Sequence, residues 1–478
     1  MTMLRLGEHH AFEAANRRYL YLVPSAAVFA LDAPAEALID ALGGEPVTRT
    51  DLISRVSAQF PQTDLDALLT ELEQIHAVQP VAPPAPEMPT IIPLTPVTPF
   101  PLTTAVLNVT NQCNLSCGYC YEYSEDKIVD TTNGAQPKFM SEKTARESID
   151  LLFRESGDNQ VVHVSFFGGE TLMNYPVLRK VVPYALEQAE EHGKRVEFNL
   201  TTNATLLTTE MIGFLADHDI SVTVSIDGPR EMQNRFRVFR DGSGSYDVLL
   251  PRVKELLARH RSRPIGARVT LTSQVSDVSS IYRHLTEEIG FQEVGFAPVT
   301  SSAGRDHALS NDGFDRMVAA FKALADDFLA AALEGRHHGF SNVNETLEEI
   351  HKGMSKAYPC GAGLGLMGIS TGGDVALCHR FAGSDEHKLG SVTEGIDREA
   401  QTTFLERHHL ANKTDCHTCW ARPLCSGGCY HEAHTRYGTT THPNLHYCDW
   451  IREWTDICLR IYGELAERNP RFLTRFES

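Results

Sequence analysis

Residues 108 to 123 read NVTNQCNLSCGYCYEY, and three cysteines, Cys113, Cys117 and Cys120, fall inside that stretch with the spacing C-x3-C-x2-C. The run before them, Thr104 to Val109, is β-branched and apolar, which predicts a strand. The cysteines therefore sit in a loop at the C-terminal end of a strand, the position where α/β proteins place their chemistry. The spacing offers three thiolates to one centre. A closed structural zinc site wants four protein ligands, and no fourth Cys or His lies nearby. A [4Fe-4S] cube held by three cysteines keeps one iron free for a small molecule. A zinc knuckle that borrows a distant fourth ligand is the other reading of the triplet.

The chain of 478 residues is long enough for two or three domains, each with its own core. Its 42% hydrophobic and 22% charged content is that of a water-soluble globular protein. A formal net charge of −19 argues against a nucleic-acid backbone or an anionic membrane as partner. No apolar run is long enough for a membrane span, and the first residues, MTMLRLGEHH, have no signal-peptide core. A cytoplasmic protein is expected. Its 11 cysteines cluster at short spacings, which in such a compartment reads as metal ligation rather than disulfides.

The pattern C-x3-C-x-aromatic-C after a first strand, with Tyr119 as the aromatic, resembles the signature of the radical S-adenosylmethionine (SAM) enzymes. The resemblance implies a cluster on Cys113, Cys117 and Cys120 whose open iron chelates the amino and carboxylate groups of SAM. One electron then cleaves the sulfonium to a 5′-deoxyadenosyl radical that takes hydrogen from substrate. It also implies a flavodoxin or ferredoxin as electron donor.

The rest of the chain extends this resemblance. Residues 1–78 predict a separate module: a hairpin of Arg18 to Val23 and Ala26 to Leu31, then helices over Pro34–Leu42, Asp51–Phe60 and Leu65–Ile75, with Thr50 and Asp64 as N-caps. It resembles the winged-helix-like peptide-recognition modules of peptide-modifying enzymes, in which a substrate's leader segment adds as a strand to a sheet edge; a plain packing domain is the alternative. Pro80 to Pro101 holds nine of the 24 prolines and predicts an extended linker, so the boundary is set at 79–101.

From residue 102 to about 350, strands and helices alternate. Strands are expected at Thr104–Val109, Val161–Phe166, Val196–Thr201, Ser221–Ile226, Ala267–Leu271 and Glu293–Ala297, with amphipathic helices at Ser141–Glu155, Pro176–His192, Thr208–Asp217, Tyr246–His260 and Val278–Glu288. Six such units predict an α/β fold, a partial (β/α)6 barrel. This resembles the radical SAM core fold. Gly168, Gly169 and Glu170 follow the second strand. By resemblance they meet the amino group of SAM, because glycines let backbone approach a ligand and a carboxylate pairs with an ammonium. Asn203 ends the third strand, Ser225 and Asp227 the fourth, and Arg268 lies in the fifth; the resemblance implies that these bind the ribose and carboxylate region. Residues 311 to about 353 predict helical connectors, with His337, His338 and His351 on the surface.

The last segment, 351–478, carries Cys360, then Gly373-x4-Cys378, then Cys416-x2-Cys419-x5-Cys425-x3-Cys429, and finally Cys448. This resembles the SPASM extension, whose members hold two auxiliary iron–sulfur clusters, making three [4Fe-4S] clusters in all; zinc ribbons are the other reading of the spacing. The resemblance implies an outer cluster on Cys416, Cys419, Cys425 and Cys448 and an inner one on Cys360, Cys378 and Cys429. His379 is a candidate catalytic residue or fourth inner ligand. Cys458 falls on a helical apolar face and reads as packing.

Within this family the chain resembles the maturases of quinohemoprotein amine dehydrogenase. These link Cys sulfur to methylene carbons of Asp or Glu in the dehydrogenase's small subunit, a Cys-containing peptide bound through its leader. Two alternatives stand. One is an anaerobic sulfatase-maturing enzyme; these usually lack the N-terminal module and carry Asp where this chain has His379. The other is a zinc-stabilised peptide-binding adaptor without catalysis.

Overall fold

The computed structural model describes residues 2–81, 100–130, 134, 136–302 and 304–477. The linker expected over Pro80–Pro101 falls largely on residues 82–99, outside the described residues.

The N-terminal region contains β1 (Met3–Leu6), β2 (His9–Ala14), β3 (Arg17–Leu22), β4 (Ala27–Ala30), α1 (Ala33–Leu42), β5 (Val47–Thr48), α2 (Arg49–Val56), α3 (Gln62–Gln74) and β6 (Val78–Pro80). The expected hairpin is β3–β4, and three helices follow it, the second spanning Arg49–Val56 rather than Asp51–Phe60 and the third starting at Gln62 rather than Leu65. The strands form two antiparallel sheets, in the orders β5-β1-β6 and β2-β3-β4. The two- and three-residue strands β5 and β6 exist only as partners of β1, so no alternation in the sequence announces them. The caps differ from expectation. Thr48, in extended conformation, accepts from the amide of Asp51 to start α2, so the cap lies two residues before the expected Thr50. Helix α3 starts directly after Pro61, with no side-chain cap from Asp64.

Residues Leu4 to Val78 supply a hydrophobic core of their own. The opposite face of β2–β3, with Phe12, Tyr19 and Tyr21, joins the main core instead. It packs on a long C-terminal helix, where Ala15 N–H donates to Glu464 and His10 meets Asp456 at 2.7 Å.

The central sheet opens with β7 (Thr104–Asn108), followed by α4 (Glu142–Glu155), β8 (Val161–Phe167), α5 (Tyr175–Glu191), β9 (Arg195–Thr202), α6 (Thr209–Asp217), β10 (Ser221–Ser225), α7 (Arg230–Phe236), α8 (Tyr246–Arg259), β11 (Gly266–Leu271), α9 (Val278–Arg283) and β12 (Glu293–Pro298). All six strands are parallel and lie in sequential order. This is the arrangement expected of a partial (β/α)6 barrel. Alternation within the strands gives the two faces opposite character. Val162, Val164 and Phe166, like Val222 and Val224, are buried under the helices. The alternate residues, including Thr223, Ser225, Arg268 and Thr270, face inward and line a cavity. A polar interior in an open barrel is a surface built for a polar ligand.

Helices α10 (Asn311–Leu333) and α11 (Ser341–His351) follow as connectors. His337 is exposed as expected. His338 is instead half-buried and stacked on Tyr282 at 4.9 Å, and His351 is half-buried against Tyr462.

The C-terminal segment does not stand apart. Its β13 (Leu366–Ile369) pairs in parallel with β7, and β14 (Asp374–Ala376), β15 (Lys388–Ser391) and β16 (Gly395–Ile396) continue the same ten-stranded sheet. Helices α12 (Arg398–His408), α13 (Arg422–Cys425), α14 (Tyr430–Tyr437) and α15 (Cys448–Arg468) complete it. Cys458 lies fully buried in α15, among Trp454, Ile457 and Ile461.

Candidate functional site

A cavity of about 460 Å3 opens at the C-terminal ends of the parallel strands. Cys113, Cys117, Cys120 and Tyr119 form one wall, and Gly168, Gly169, Glu170, Asn203, Ser225 and Arg268 contribute from successive strands. His379 and Arg380, just after Cys378, close another side. Of the residues singled out in the sequence for the SAM site, only Asp227 is absent from the lining.

Asp227 is fully buried and committed elsewhere. It accepts from the phenol of Tyr119, pairs with Arg237 at 2.9 Å, and takes the amide of Thr270 at 3.0 Å. Arg237 also lies over the Tyr119 ring, 5.4 Å from its centre, and acts electrostatically on Cys117. The network thus braces the cysteine loop against the fourth strand.

The glycines serve a second purpose beyond approach to a ligand. Gly168 has φ +130°, and a Cβ there would stand 2.4 Å from the carbonyl oxygen of Thr110; at Gly169 it would stand 2.3 Å from that of Gln112. The amides of Gly169 and Glu170 donate to these two carbonyls at 3.0 and 2.8 Å. The turn after β8 is therefore laced to the start of the cysteine loop, which only glycine permits. The buried Glu170 carboxylate accepts from the Thr202 hydroxyl at 2.6 Å and from the amides of Asn203 and Leu172 at 2.7 and 3.1 Å. Desolvation raises its pKa despite these donors. Asn203 donates to Asn114 at 3.1 Å and approaches Cys113 Sγ at 3.9 Å.

Sequence reasoning missed Arg237, Arg380 and Glu122. Arg380 lies 4.5 Å over the ring of Tyr121 and bonds Thr300 at 3.0 Å, while acting on Cys378 and Cys429. Glu122 lines the cavity, and desolvation alone raises its carboxyl to about 8. The CYEY run held the signal for Glu122, but nothing local reveals two arginines over a hundred residues away in sequence. His379 packs 4.3 Å from Phe167, and burial lowers its imidazole to about 3, so it is neutral.

Downstream, Cys360, Cys378 and Cys429 lie close enough to act electrostatically on one another, and Cys416, Cys419, Cys425 and Cys448 do the same. Lys413, 2% exposed, sits between them; its ammonium donates to the carbonyl of Ser426 at 2.9 Å and faces cysteines of both groups.

The donor sets fit iron–sulfur clusters better than zinc. Four thiolates on tetrahedral zinc, with bonds near 2.3 Å, stand about 3.8 Å apart. Among the described residues, no three cysteine sulfurs all lie within 4.8 Å of one another; the single group of His, Cys, Asp or Glu ligand atoms that does is Glu386, His387 and His434. Burial raises the thiols of Cys113, Cys120, Cys378 and Cys416 to about 12, so thiolates there require a cationic centre beside them, zinc or iron alike.

Comparison with known proteins agrees with this geometry. Residues 107–273 match the model of the Radical SAM superfamily. A serine-type anaerobic sulfatase-maturating enzyme of Bacteroides thetaiotaomicron is 28% identical over 357 residues, 69% of this chain and 82% of that protein. The solved structure of native anSMEcpe with bound AdoMet and Cp18Cys peptide superposes with a TM-score of 0.62 at 20% identity, covering 79% of this chain and 99% of that one. Streptococcus suis SuiB, solved with its precursor peptide SuiA, superposes with a TM-score of 0.51 at 13% identity, covering 93% of this chain and all of that one. The fold is the radical SAM fold, and the segment that bears the Cys113 loop and the Gly168 turn matches the Radical SAM superfamily.

Proposed function

We propose that this chain is a radical SAM oxidoreductase that matures a ribosomally made peptide by joining Cys sulfur to methylene carbons of Asp or Glu, as in the small subunit of quinohemoprotein amine dehydrogenase. The observation that carries the reading is the cavity. One wall is the Cys113 loop, and another is His379 and Arg380, which directly follow Cys378, so a peptide side chain held there lies between the cysteine loop and the segment that leaves the second cysteine system. The relatives support the peptide part, since they include a sulfatase maturase and SuiB.

Cys113, Cys117 and Cys120 would hold the cube, with Tyr119, Gly168, Gly169, Glu170, Asn203, Ser225 and Arg268 around SAM. Cys416, Cys419, Cys425 and Cys448 would hold an outer auxiliary cluster and Cys360, Cys378 and Cys429 an inner one. When bound, the cluster and SAM supply the one-electron chemistry that homolyses a C–H bond, which no side chain can do. The protein's own part is to hold the peptide methylene in line and keep water out. Arg237 would compensate thiolate charge at Cys117, and Arg380 at Cys378 and Cys429. Residues 1–78 would bind the leader, 79–101 would be the linker, 102–350 the core and 351–478 the SPASM segment. A flavodoxin or ferredoxin would deliver the electron.

Sulfatase maturation is a second reading, favoured by the 28% identity to a sulfatase maturase. The N-terminal module and His379 count against it. Oxygen-free protein incubated with SAM, reductant and, in separate reactions, the dehydrogenase small subunit or a sulfatase peptide tests both. A thioether removes two hydrogens and an alkylatable thiol, whereas formylglycine leaves an aldehyde that hydrazides trap. Release of 5′-deoxyadenosine with an unaltered subunit overturns the substrate; an aldehyde on a sulfatase peptide establishes the second reading.

A further inference from the structure

Outside the cysteine systems, three potential metal ligands converge at one point. One ligand atom each from Glu386, His387 and His434 lies within 4.8 Å of the other two. They come from two elements. Glu386 and His387 end the short turn Asp385–His387 that leads into β15, and His434 lies on α14. The two imidazoles cross at 79° with centroids 5.0 Å apart, around the buried ring of Phe381.

Aromatic packing explains the rings but not their nitrogens. His434 Nδ1 is buried without a hydrogen-bond partner. An orphaned buried nitrogen calls for an ion or other partner. His387, 6% exposed, shares a proton through Nδ1 with Ser384 Oγ at 2.8 Å. That contact fixes the ring and leaves Nε2 for a ligand, as the outer partners of metal-bound histidines do. Glu386 is exposed and supplies the carboxylate. A cavity of about 520 Å3 lined by Glu386 and His387 borders the cluster, so water can complete the coordination.

We infer that Glu386, His387 and His434 form a mononuclear zinc site, with two imidazoles, one carboxylate and water on the metal. Such a donor set without sulfur suits Zn2+. Its place in the fold gives it a role. Helix α14 starts directly after Cys429, and the turn with His387 lies nine residues after Cys378. The ion clamps the segments that carry two cysteines of the inner group.

The test is elemental analysis and zinc-edge X-ray absorption of the full-length, oxygen-free holoprotein given one equivalent of Zn2+. The expected result is one zinc per chain, imidazole scattering, and only nitrogen and oxygen neighbours at about 2.0–2.2 Å. Glu386→Gln, an isosteric change at an exposed position, should weaken zinc retention against a chelator by roughly tenfold or more while iron content stays constant. His434→Gln should do the same. No bound zinc, zinc with sulfur neighbours near about 2.3 Å, or unchanged retention in both variants overturns the site.

Discussion

The Tyr119 phenol donates to the carboxylate of Asp227, which fastens the cysteine loop to the end of the fourth strand, with Arg237 pairing to the same carboxylate oxygen at 2.9 Å. Asp227 is fully buried, and the Arg237 side chain is 10% exposed. The attraction is set against the desolvation of two ions, so the pair matters more for position than for net stability.

Breaking that pair should be costly in a specific way. Asp227→Asn strands a buried guanidinium and is expected to cost about 3–5 kcal/mol in denaturant unfolding. Adding Arg237→Met should recover most of that loss. If the double variant is no more stable than the single one, Asp227 acts by hydrogen bonding to Tyr119 and Thr270, not by compensating charge.

The glycine turn gives a test with an internal control. Gly168→Ala and Gly169→Ala push a methyl into the carbonyls of Thr110 and Gln112, so both should lose SAM binding and cluster retention together. Gly213→Ala, in α6 with nothing within 4 Å, should instead stabilise by about 0.5–1 kcal/mol. Normal SAM affinity in Gly169→Ala would show that the turn tolerates displacement.

On the proposed reading, the leader pairs with the outer edge of β4. Leu31 N–H bonds the carbonyl of Arg18, so by antiparallel alternation the amides of Val28 and Ala30 point away from β3. Strand β4 has no β partner on that side among the described residues. Ala30→Pro removes one outward donor and leaves the β3 ladder intact. Substrate-peptide affinity should fall about tenfold, the worth of one hydrogen bond of about 1.4 kcal/mol, with uncoupled SAM cleavage unchanged. Equal affinity, measured by calorimetry, would move the leader elsewhere.

Iron counting separates ligand from packing cysteines. Cys448→Ser should lose about four irons per chain, one cluster. Cys458→Ala should keep full iron and cost only about 1 kcal/mol, since its thiol is 0% exposed within α15. The reverse result would exchange their roles. Cys113→Ala, Cys117→Ala and Cys120→Ala should each abolish 5′-deoxyadenosine production.

The six core strands were legible because each has its period-two signal and its bounding turns in a local window; the observed limits differ from the expected ones by a residue at most ends. The cysteine motifs were legible for the same reason: C-x3-C-x2-C and C-x2-C-x5-C-x3-C are short-range spacings. The strands β5 and β6 were not, because they become strands only by pairing with β1.

What the chain's sequence determined by itself was therefore the local chemistry: the parallel α/β core, the cysteine loop at its first strand and the glycine turn after its second. Tertiary structure alone decided which charges meet. It took Asp227 out of the cavity and gave it to Arg237, set Arg380 over Tyr121, placed Lys413 between two cysteine groups, and carried β13 into the core sheet beside β7. The physical reason is range. Backbone propensity and side-chain alternation act over a few residues, whereas a buried charge finds its partner only after distant segments have been packed together, and no local pattern encodes that partner.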